Sequence, residues 1–429
     1  QGTGANITIP AGDTKAVYLD GAGSGAAVVD AFASLSTVDL KVQDDLTVTD
    51  DASVGGDLAV TGALDVDGAT TTDGITNVGN FSTDSGTIKL DGNYPTGSDN
   101  VALGDTALDD GSLSGGNNVA IGSAALTANT TGNRGTAVGK SALAANTTGT
   151  ENIAIGYQAM DANSTGAANT AVGSEALGAN TTANYNTAVG VASMILNTTG
   201  AKNTAVGSLT LDANTTGSNN TAFGYNSLTA NTTANNNTAF GYESAKAVTT
   251  GTANVAVGKS ALEATTTGSY NNAFGMNALA SNTTAEENTA VGNDAMLDNT
   301  TGANNVAVGS SALANNTTAS NNVAVGRHAL LTNTTGDNLV AVGNNALDAN
   351  TTGSANSAMG RDALTSNTTG ANNTAIGVAA LEGNTTADSN VAIGKDALKA
   401  NTTNGSGVAV GTSALTAQTT GSLNTAVGA

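Results

Sequence analysis

From about residue 98 onward, the sequence is one motif repeated at a fixed distance. Residues 169–182, Asn-Thr-Ala-Val-Gly-Ser-Glu-Ala-Leu-Gly-Ala-Asn-Thr-Thr, contain the whole motif, and its first glycine recurs every 17 residues from Gly122 to Gly428. One more copy, at Gly104, precedes these with a spacing of 18, so the chain holds 20 copies. A period this strict predicts a solenoid, in which each repeat stacks on the next.

The residues of the repeat favour β-structure over helix. The residue two before the glycine is Ala in all 20 copies, and the residue just before the glycine is always apolar, mostly Val or Ile. Alternation such as Val-Ala-Val at 323–325 has the period of a strand, and Asn-Thr-Thr favours turns. We therefore predict a coil made of a short strand, a glycine turn, a second short strand that carries Leu, and an Asn-Thr-Thr turn.

The alternation also predicts which side chains face inward. We expect Val or Ile to point into the coil and Ala to point outward, as a seam along which three chains pack into a homotrimer. Rows of Asn, four residues before and seven after the glycine, are expected to hydrogen-bond along the stack. Strand spacing of about 4.8 Å predicts a rod about 90 Å long.

The sequence before the repeats has a different organisation. Residues 37–70 place Val every six residues, from Val42 to Val66, with Leu or Ala two positions before each, which predicts a narrow hexad β-helix stem. Residues 1–36 are expected to form an attachment or cap region with strands near 6–10 and 15–19. Residues 71–97 form a junction, and 98–429 form the shaft of 20 coils. The fold class we predict is all-β, an elongated parallel β-solenoid or β-roll.

Composition excludes several functions. The chain has 34 acidic and 12 basic residues, a net charge of -22, so it would repel nucleic acid. No apolar run approaches the roughly 20 residues of a membrane span, so membrane insertion is not expected. With no Cys and a single His, we expect no catalytic, cofactor or metal site, and we do not expect an enzyme.

Several polar or aromatic residues could form a catalytic, glycosylation or ligand-binding site, and we expect a structural role for each of them. His328 is expected to be an exposed turn residue. The Asn-Thr-Thr turns at Asn129, Asn146 and Asn180 match a glycosylation acceptor, but a stacked turn ladder explains their spacing better. The exposed Thr row, Thr131 to Thr420, makes an ice-binding solenoid an alternative hypothesis, because a flat row of Thr can match ice. A paired Thr face is not expected, since the neighbouring Thr should point the other way.

The remaining candidates are acidic pairs and exposed tyrosines. The acidic pairs at 44–45 and 50–51 lack the alternating spacing of a calcium site and are expected to be solvated. Tyr157, Tyr225 and Tyr242 follow their glycines at turns, where saccharide contact is conceivable but scattered exposed aromatics are ordinary.

These motifs resemble known fibrous proteins. Val-Ala-Ile-Gly at 119–122 and 391–394, and Ile-Ala-Ile-Gly at 153–156, resemble the strand motif of trimeric autotransporter adhesin heads, which are left-handed parallel β-rolls with three chains side by side. The full 17-residue unit is similar to the repeats of bacteriophage tail fibres, especially those of marine phages. Residues 14–32, with 45–49 and 56–62, are similar to the N-terminal part and stem of such fibres.

The resemblance implies a structural role in a virion. It implies a phage tail fibre that extends a host-recognition tip and mediates host attachment, outside the cell. Its partners would be its own copies, baseplate or tail proteins at one end, and a host surface receptor bound through a distal tip beyond Ala429. The alternatives are a trimeric adhesin on a bacterial surface and a monomeric ice-binding solenoid.

Overall fold

The computed structural model describes residues 17–19, 28–30 and 97–428, and the regular structure in these ranges is β, with no helix. The chain divides into two units, Gln1–Ser82 and Thr83–Ala429. The described strands are three residues long and are numbered in chain order. They are β1 Val17–Leu19, β2 Val28–Asp30, β3 Val101–Leu103, β4 Val119–Ile121, β5 Thr136–Val138, β6 Ile153–Ile155, β7 Thr170–Val172, β8 Thr187–Val189, β9 Thr204–Val206, β10 Thr221–Phe223, β11 Thr238–Phe240, β12 Val255–Val257, β13 Asn272–Phe274, β14 Thr289–Val291, β15 Val306–Val308, β16 Val323–Val325, β17 Val340–Val342, β18 Ser357–Met359, β19 Thr374–Ile376, β20 Val391–Ile393, β21 Val408–Val410 and β22 Thr425–Val427.

The first unit contains a pair of antiparallel strands. β1 pairs with β2, and Tyr18 lies opposite Val29. β1 falls within residues 15–19, where the sequence predicts a strand. The other strand predicted near 6–10, the hexad stem at 37–70 and the junction up to residue 96 lie outside the described residues.

The second unit is a parallel β-solenoid. Strands β3 to β22 stack in chain order, and each strand pairs in register with the next, so that Ala205, Ala222 and Ala239 lie opposite one another. The 20 strands are joined by coils of 17 residues, except for the first coil, which has 18. The predicted parallel solenoid with a 17-residue period is therefore confirmed for the described part of the shaft.

The orientation of the strand residues is the reverse of our prediction. The central Ala of every strand from β4 to β21 is fully buried, whereas the apolar residue after it is partly exposed, 37% for Ile121 and 42% for Phe274. The interior facing the strand is already filled by residues such as Ala125 and Leu126. Because that packing leaves room for little more than a methyl group, Ala occupies the inner position and the branched residues lie outside. The Ala seam is thus part of the core.

The predicted second strand is also wrong, because the residues after the glycine form a turn. Two of them in each coil have left-handed φ values, as at Ser141 (58°) and Leu143 (52°). Their amides point to opposite neighbours: Ser141 N donates to Ser123 O of the preceding coil at 2.8 Å, and Leu143 N donates to Ala159 O of the following coil at 3.0 Å. This turn carries Leu into the core, where Leu143 is fully buried.

The glycine that ends each strand is required by both conformation and space. At Gly309, φ is 138°, a region that only glycine adopts without strain. A Cβ atom on Gly309 would lie 2.5 Å from Gly326 O and 2.6 Å from Gly326 C in the next coil. Since the equivalent glycines from Gly104 to Gly394 each lie against the glycine of the next coil, a side chain at one of them would separate two coils.

Two ladders of buried asparagines connect the coils, as the sequence predicts. In the ladder seven residues after the glycine, Asn163 Nδ2 donates to Asn146 Oδ1 at 2.9 Å and to Gly166 O at 3.0 Å. Asn180 Nδ2 continues the row with a bond of 2.8 Å to Asn163 Oδ1. Each amide thus satisfies its own turn and its neighbour, as a buried polar group must.

The second ladder lies four residues before the glycine and uses the backbone as well. Asn186 N donates to Asn169 Oδ1 at 2.9 Å, and Asn186 Nδ2 donates to Gly200 O at 2.8 Å. These side chains are fully buried. They fix the chain at the point where it enters the strand, and they bind the turn that closes the same coil.

Interruptions of the ladders leave polar atoms unsatisfied. Six buried side-chain N or O atoms of the described residues lack a hydrogen-bond partner, and five of them belong to ladder positions: Asn231 Oδ1, Asn322 Nδ2, Asn390 Nδ2, Asn401 Oδ1 and Gln418 Oε1. The next ladder residue after Asn231 is Val248, after Asn322 it is Leu339, and after Asn390 it is Gly407. Asn231 Oδ1 is orphaned because Val248 has no side-chain amide to donate to it, whereas Leu339 N and Gly407 N still donate to Asn322 Oδ1 and Asn390 Oδ1 at 2.9 Å, so those two amides lack a partner only at Nδ2.

We expect Gly309→Ala to destabilise the solenoid by at least about 2 kcal/mol, because it combines a forbidden φ with a backbone clash. The matched control is Gly111→Ala, since no atom lies within 4 Å of a Cβ at Gly111 and its φ is not left-handed. Thermal unfolding followed by circular dichroism compares the two. Equal melting temperatures for both variants would contradict the proposed role of the glycine stack.

We expect Asn299→Val to lower the melting temperature, with a cost of about 1–3 kcal/mol for stranded amide groups. The substitution removes bonds to Asn282 Oδ1 and Gly302 O and the acceptor for Asn316 Nδ2.

Gly407→Asn tests the reverse change, because it supplies an Asn where the coil before has Asn390 and the coil after has Asn424. Calorimetry should show stabilisation of about 1 kcal/mol, and a loss of stability would argue against the ladder.

Candidate functional site

The surface with the most uniform chemistry is formed by the first and third residues of strands β3–β22, which we call the outer face. The third residue is apolar in all 20 strands. The first residue is Thr in nine strands, Val in eight, and Ile, Asn or Ser in the other three. None of these residues is charged, in a chain with a net charge of -22.

Of the 40 positions on the outer face, 29 are apolar, namely all 20 third positions and nine first positions. Twenty strands spaced by about 4.8 Å and two outward residues wide make a ribbon of roughly 90 by 10 Å, on the order of 900 Å². The largest apolar patch on a typical monomer is about 300–600 Å². Its side chains are only partly covered by their own coil, with 38% of Val291 and 37% of Val308 exposed.

Columns of opposite charge border the outer face. The position after the glycine holds five cations, Lys140, Lys259, Arg327, Arg361 and Lys395, and one acid, Asp105. The positions five and six before the glycine hold six acids, Asp99, Glu151, Glu286, Glu287, Asp337 and Asp388, and two cations, Arg134 and Lys202. Arg361 and Lys395 have acidic neighbours within their own coil, Asp362 at 3.3 Å and Asp396 at 3.7 Å.

Aromatic residues interrupt the outer face in one place. Phe223 and Phe240 stack with ring centroids 4.6 Å apart and planes within 5°. Beside them, Tyr225 and Tyr242 stack at 5.8 Å, and Lys259 Nζ lies 6.0 Å from the Tyr242 ring centroid. Because the rings stack along the solenoid, they direct their edges outward, an arrangement that does not offer the free ring face on which a sugar stacks.

The Asn-Thr-Thr turns are built as structural elements. Their Asn side chains, such as Asn180, are fully buried, which removes them as accessible glycosylation acceptors. The first Thr is bound to the next coil, as where Thr147 Oγ1 donates to Ser164 O at 3.1 Å. The second Thr, such as Thr148, is exposed. The Thr row is therefore a single column, as predicted.

His328 lies in the turn after Gly326 with a left-handed φ of 59°. His328 acts electrostatically on Asp348, whose pKa is raised chiefly by burial, is lowered in part by His328 and is raised by Asp362. Asp348 Oδ1 is the sixth buried atom without a hydrogen-bond partner. A single imidazole and one carboxyl without a nucleophile do not form a catalytic arrangement.

A shallow groove of about 660 Å³ lies beside the turns of four neighbouring coils, lined by Lys246, Glu263, Thr229, Ser281 and alanines. Lys246 Nζ donates to Glu243 Oε1 at 2.9 Å, and this bond raises the pKa of Lys246 and lowers that of Glu243. Lys246 is thus paired with Glu243, which lies outside the groove lining, and not with Glu263 inside it.

Other candidate sites have no counterpart in the parts of the chain that the structure describes. No group of three or more His, Cys, Asp or Glu residues there could hold a metal ion, and no helix there could cross a membrane. The acidic pairs at 44–45 and 50–51 lie outside the described residues. No family model, curated protein or solved structure matches the chain.

We expect Asp348→Asn to raise the melting temperature at pH 7. Burial raises the pKa of Asp348, so the folded chain holds its proton more tightly than the unfolded chain, and stability falls as pH rises from about 4 through the raised pKa. The gain from the substitution should vanish below about pH 4. Asp298→Asn, at an exposed site, is the control, and a gain that persists unchanged at pH 3 would refute the explanation.

Proposed function

We propose that the chain is the shaft of a fibre on a virion, of the bacteriophage tail-fibre type, built from three parallel copies. The observation that carries this proposal is the outer face, a charge-free strip that follows the whole solenoid. The sequence resemblance to phage tail fibres supports the same assignment. The 17-residue repeat itself is compatible with any long β-solenoid and does not distinguish among them.

The outer face replaces the Ala seam as the surface between copies. Alanines at the strand centres are buried inside their own coil and can contact no other chain. The outer face, on the order of 900 Å², is comparable to the roughly 800 Å² that each partner buries in a stable complex. Three copies around an axis along the solenoid would cover the outer face of each copy.

The bordering charges support a parallel arrangement. Around a common axis, parallel copies bring the cation-rich column of one chain beside the acid-rich columns of the next. Antiparallel copies would bring each column against its own kind, which is unfavourable for like charges. Arg327 and Asp337, one coil apart along the chain, are examples of residues that could meet across such a boundary.

The function of such a shaft is mechanical. Each coil is bonded to the next by the strand, the turn and both Asn ladders, so bending the rod would stretch many hydrogen bonds at once. In the proposed fibre, the shaft holds a host-recognition tip away from the particle. The other end would join baseplate or tail proteins, and the tip would bind a host surface receptor.

We expect Val291→Lys with Val308→Lys to prevent trimer formation, because an interchain contact would then bury unpaired charges. Both positions are exposed in the single solenoid, so the coils themselves should still form. Thr301→Lys with Thr318→Lys is the matched control on another exposed column. Sedimentation equilibrium should give three chains for the native and control proteins and one chain for the variant.

A monomeric native protein in this measurement would overturn the fibre proposal. It would favour the ice-binding alternative, which has one specific observation in its support: the outer face consists of two uncharged columns, one with Thr or Val in 17 of 20 strands and one that is apolar throughout. Thermal hysteresis on the same samples separates these functions. The Phe rings at Phe223, Phe240 and Phe274 break the flatness of those columns, so we rank ice binding second.

A further inference from the structure

Identical repeats create a problem of alignment between copies. Strands β7, β8 and β9 are all Thr-Ala-Val, and strands β15, β16 and β17 are all Val-Ala-Val. If one copy slid by one coil past another, most of these contacts would be reproduced unchanged. A fibre made of such chains therefore needs a feature that occurs only once along the outer face.

The phenylalanines supply such a feature. Phe223, Phe240 and Phe274 are the aromatic residues among the third strand positions, and they lie within four consecutive strands, β10 to β13. Phe240 is 40% exposed and Phe274 is 42% exposed, so their rings project from the solenoid where Val projects in most other coils. Val257 separates the first two rings from the third, which gives the set an uneven pattern.

The first strand residue is small or polar wherever the third is largest. Phe223 and Phe240 follow Thr221 and Thr238, and Phe274 follows Asn272. The other bulky variant, Met359, follows Ser357. No strand combines Val in the first position with Phe or Met in the third. The pairing holds for the Phe and Met strands only, because β6 is bulky at both positions, with Ile153 and Ile155.

We propose that Phe223, Phe240 and Phe274 set the axial register between copies of this chain. The inference rests on the parallel assembly proposed above. In register, each Phe meets the same Phe of its neighbours at one height. A slip of one coil places Phe274 against Val257 or Val291 and Phe223 against Val206, which leaves gaps in some layers and overcrowds others.

The stacking of the rings within one chain strengthens this assignment. Phe223 and Phe240 hold each other parallel at 4.6 Å, and Tyr225 and Tyr242 stack beside them. Phe223 and Phe240 thus restrain each other before any copy arrives, so a neighbour meets two ordered rings at this height. In the proposed assembly, a slip by one coil would also shift Tyr225 and Tyr242 by one coil relative to the neighbouring copy.

The absence of Cys from the sequence makes the register directly measurable. Two singly substituted chains, Val291→Cys and Val308→Cys, carry different affinity tags and are assembled together and oxidised. In-register copies form disulfides between like chains, whereas copies shifted by one coil form them between unlike chains, because one step adds about 4.8 Å to the separation. The ratio of unlike to like disulfides reports the register.

In the native background we expect like disulfides to exceed unlike ones about tenfold. In the Phe223→Val, Phe240→Val, Phe274→Val background the ratio should approach one, while sedimentation still shows a trimer. The control background is Ile121→Val, Ile376→Val, Ile393→Val. It shortens third-position side chains elsewhere on the outer face and should keep the native ratio of like to unlike disulfides.

Each other outcome overturns the register proposal in a recognisable way. An unchanged ratio without the three rings means that other residues set the register, and the proposed trimer stands. A trimer that is lost with the rings means that they provide affinity rather than alignment. Native chains that sediment as monomers overturn both this inference and the proposed function.

Discussion

The structure depends on the stacking of like residues on like residues at every position of a 17-residue coil. Few of the buried polar groups could be satisfied within a single coil: Asn163 needs Asn146 and Asn180, and Thr147 needs the carbonyl of Ser164. The repeat is strict because each coil provides the hydrogen-bonding partners of its neighbours. A replacement in one coil therefore affects the amides of the adjacent coil, as the orphaned Asn231 Oδ1 beside Val248 illustrates.

The small cross-section of the coil determines what lies inside it. A Leu, two small residues and two Asn side chains occupy the interior, as with Leu177, Ala171 and Ala176 and the amides of Asn169 and Asn180. These residues leave no room for the branched side chains of the strand, so they are placed outside although they are apolar. The exposed strip is thus a consequence of the narrow core. In the single solenoid this strip stays partly exposed.

The sequence predicts the period, the strand position and the Asn ladders, because these follow from the spacing of Gly, Ala-Val and Asn. It does not predict which strand face is inside, since Ala and Val alternate and either could line a core of unknown width. The left-handed conformation of Leu143 is also hidden, because Leu has no intrinsic preference for positive φ. Because the sequence does not show which strand face is inside, it does not identify the outer face as a candidate site. The signal that could have found it is the choice of Ala in all 20 copies, since a strictly constant small residue indicates a position where space is limiting.

The stacking of like coils satisfies the buried hydrogen-bonding groups, but it also makes the exposed surface nearly the same at every coil. Inside the coils, departures from the motif, such as Leu339 and Gly407, coincide with unsatisfied amides and act as local weak points. On the outer face a departure leaves no amide stranded, because the first and third strand residues project away from the ladders. Variation there leaves the ladders intact. This difference explains why the bulkiest exceptions, Phe223, Phe240 and Phe274, are found on the outer face, while the buried strand position is Ala in each coil.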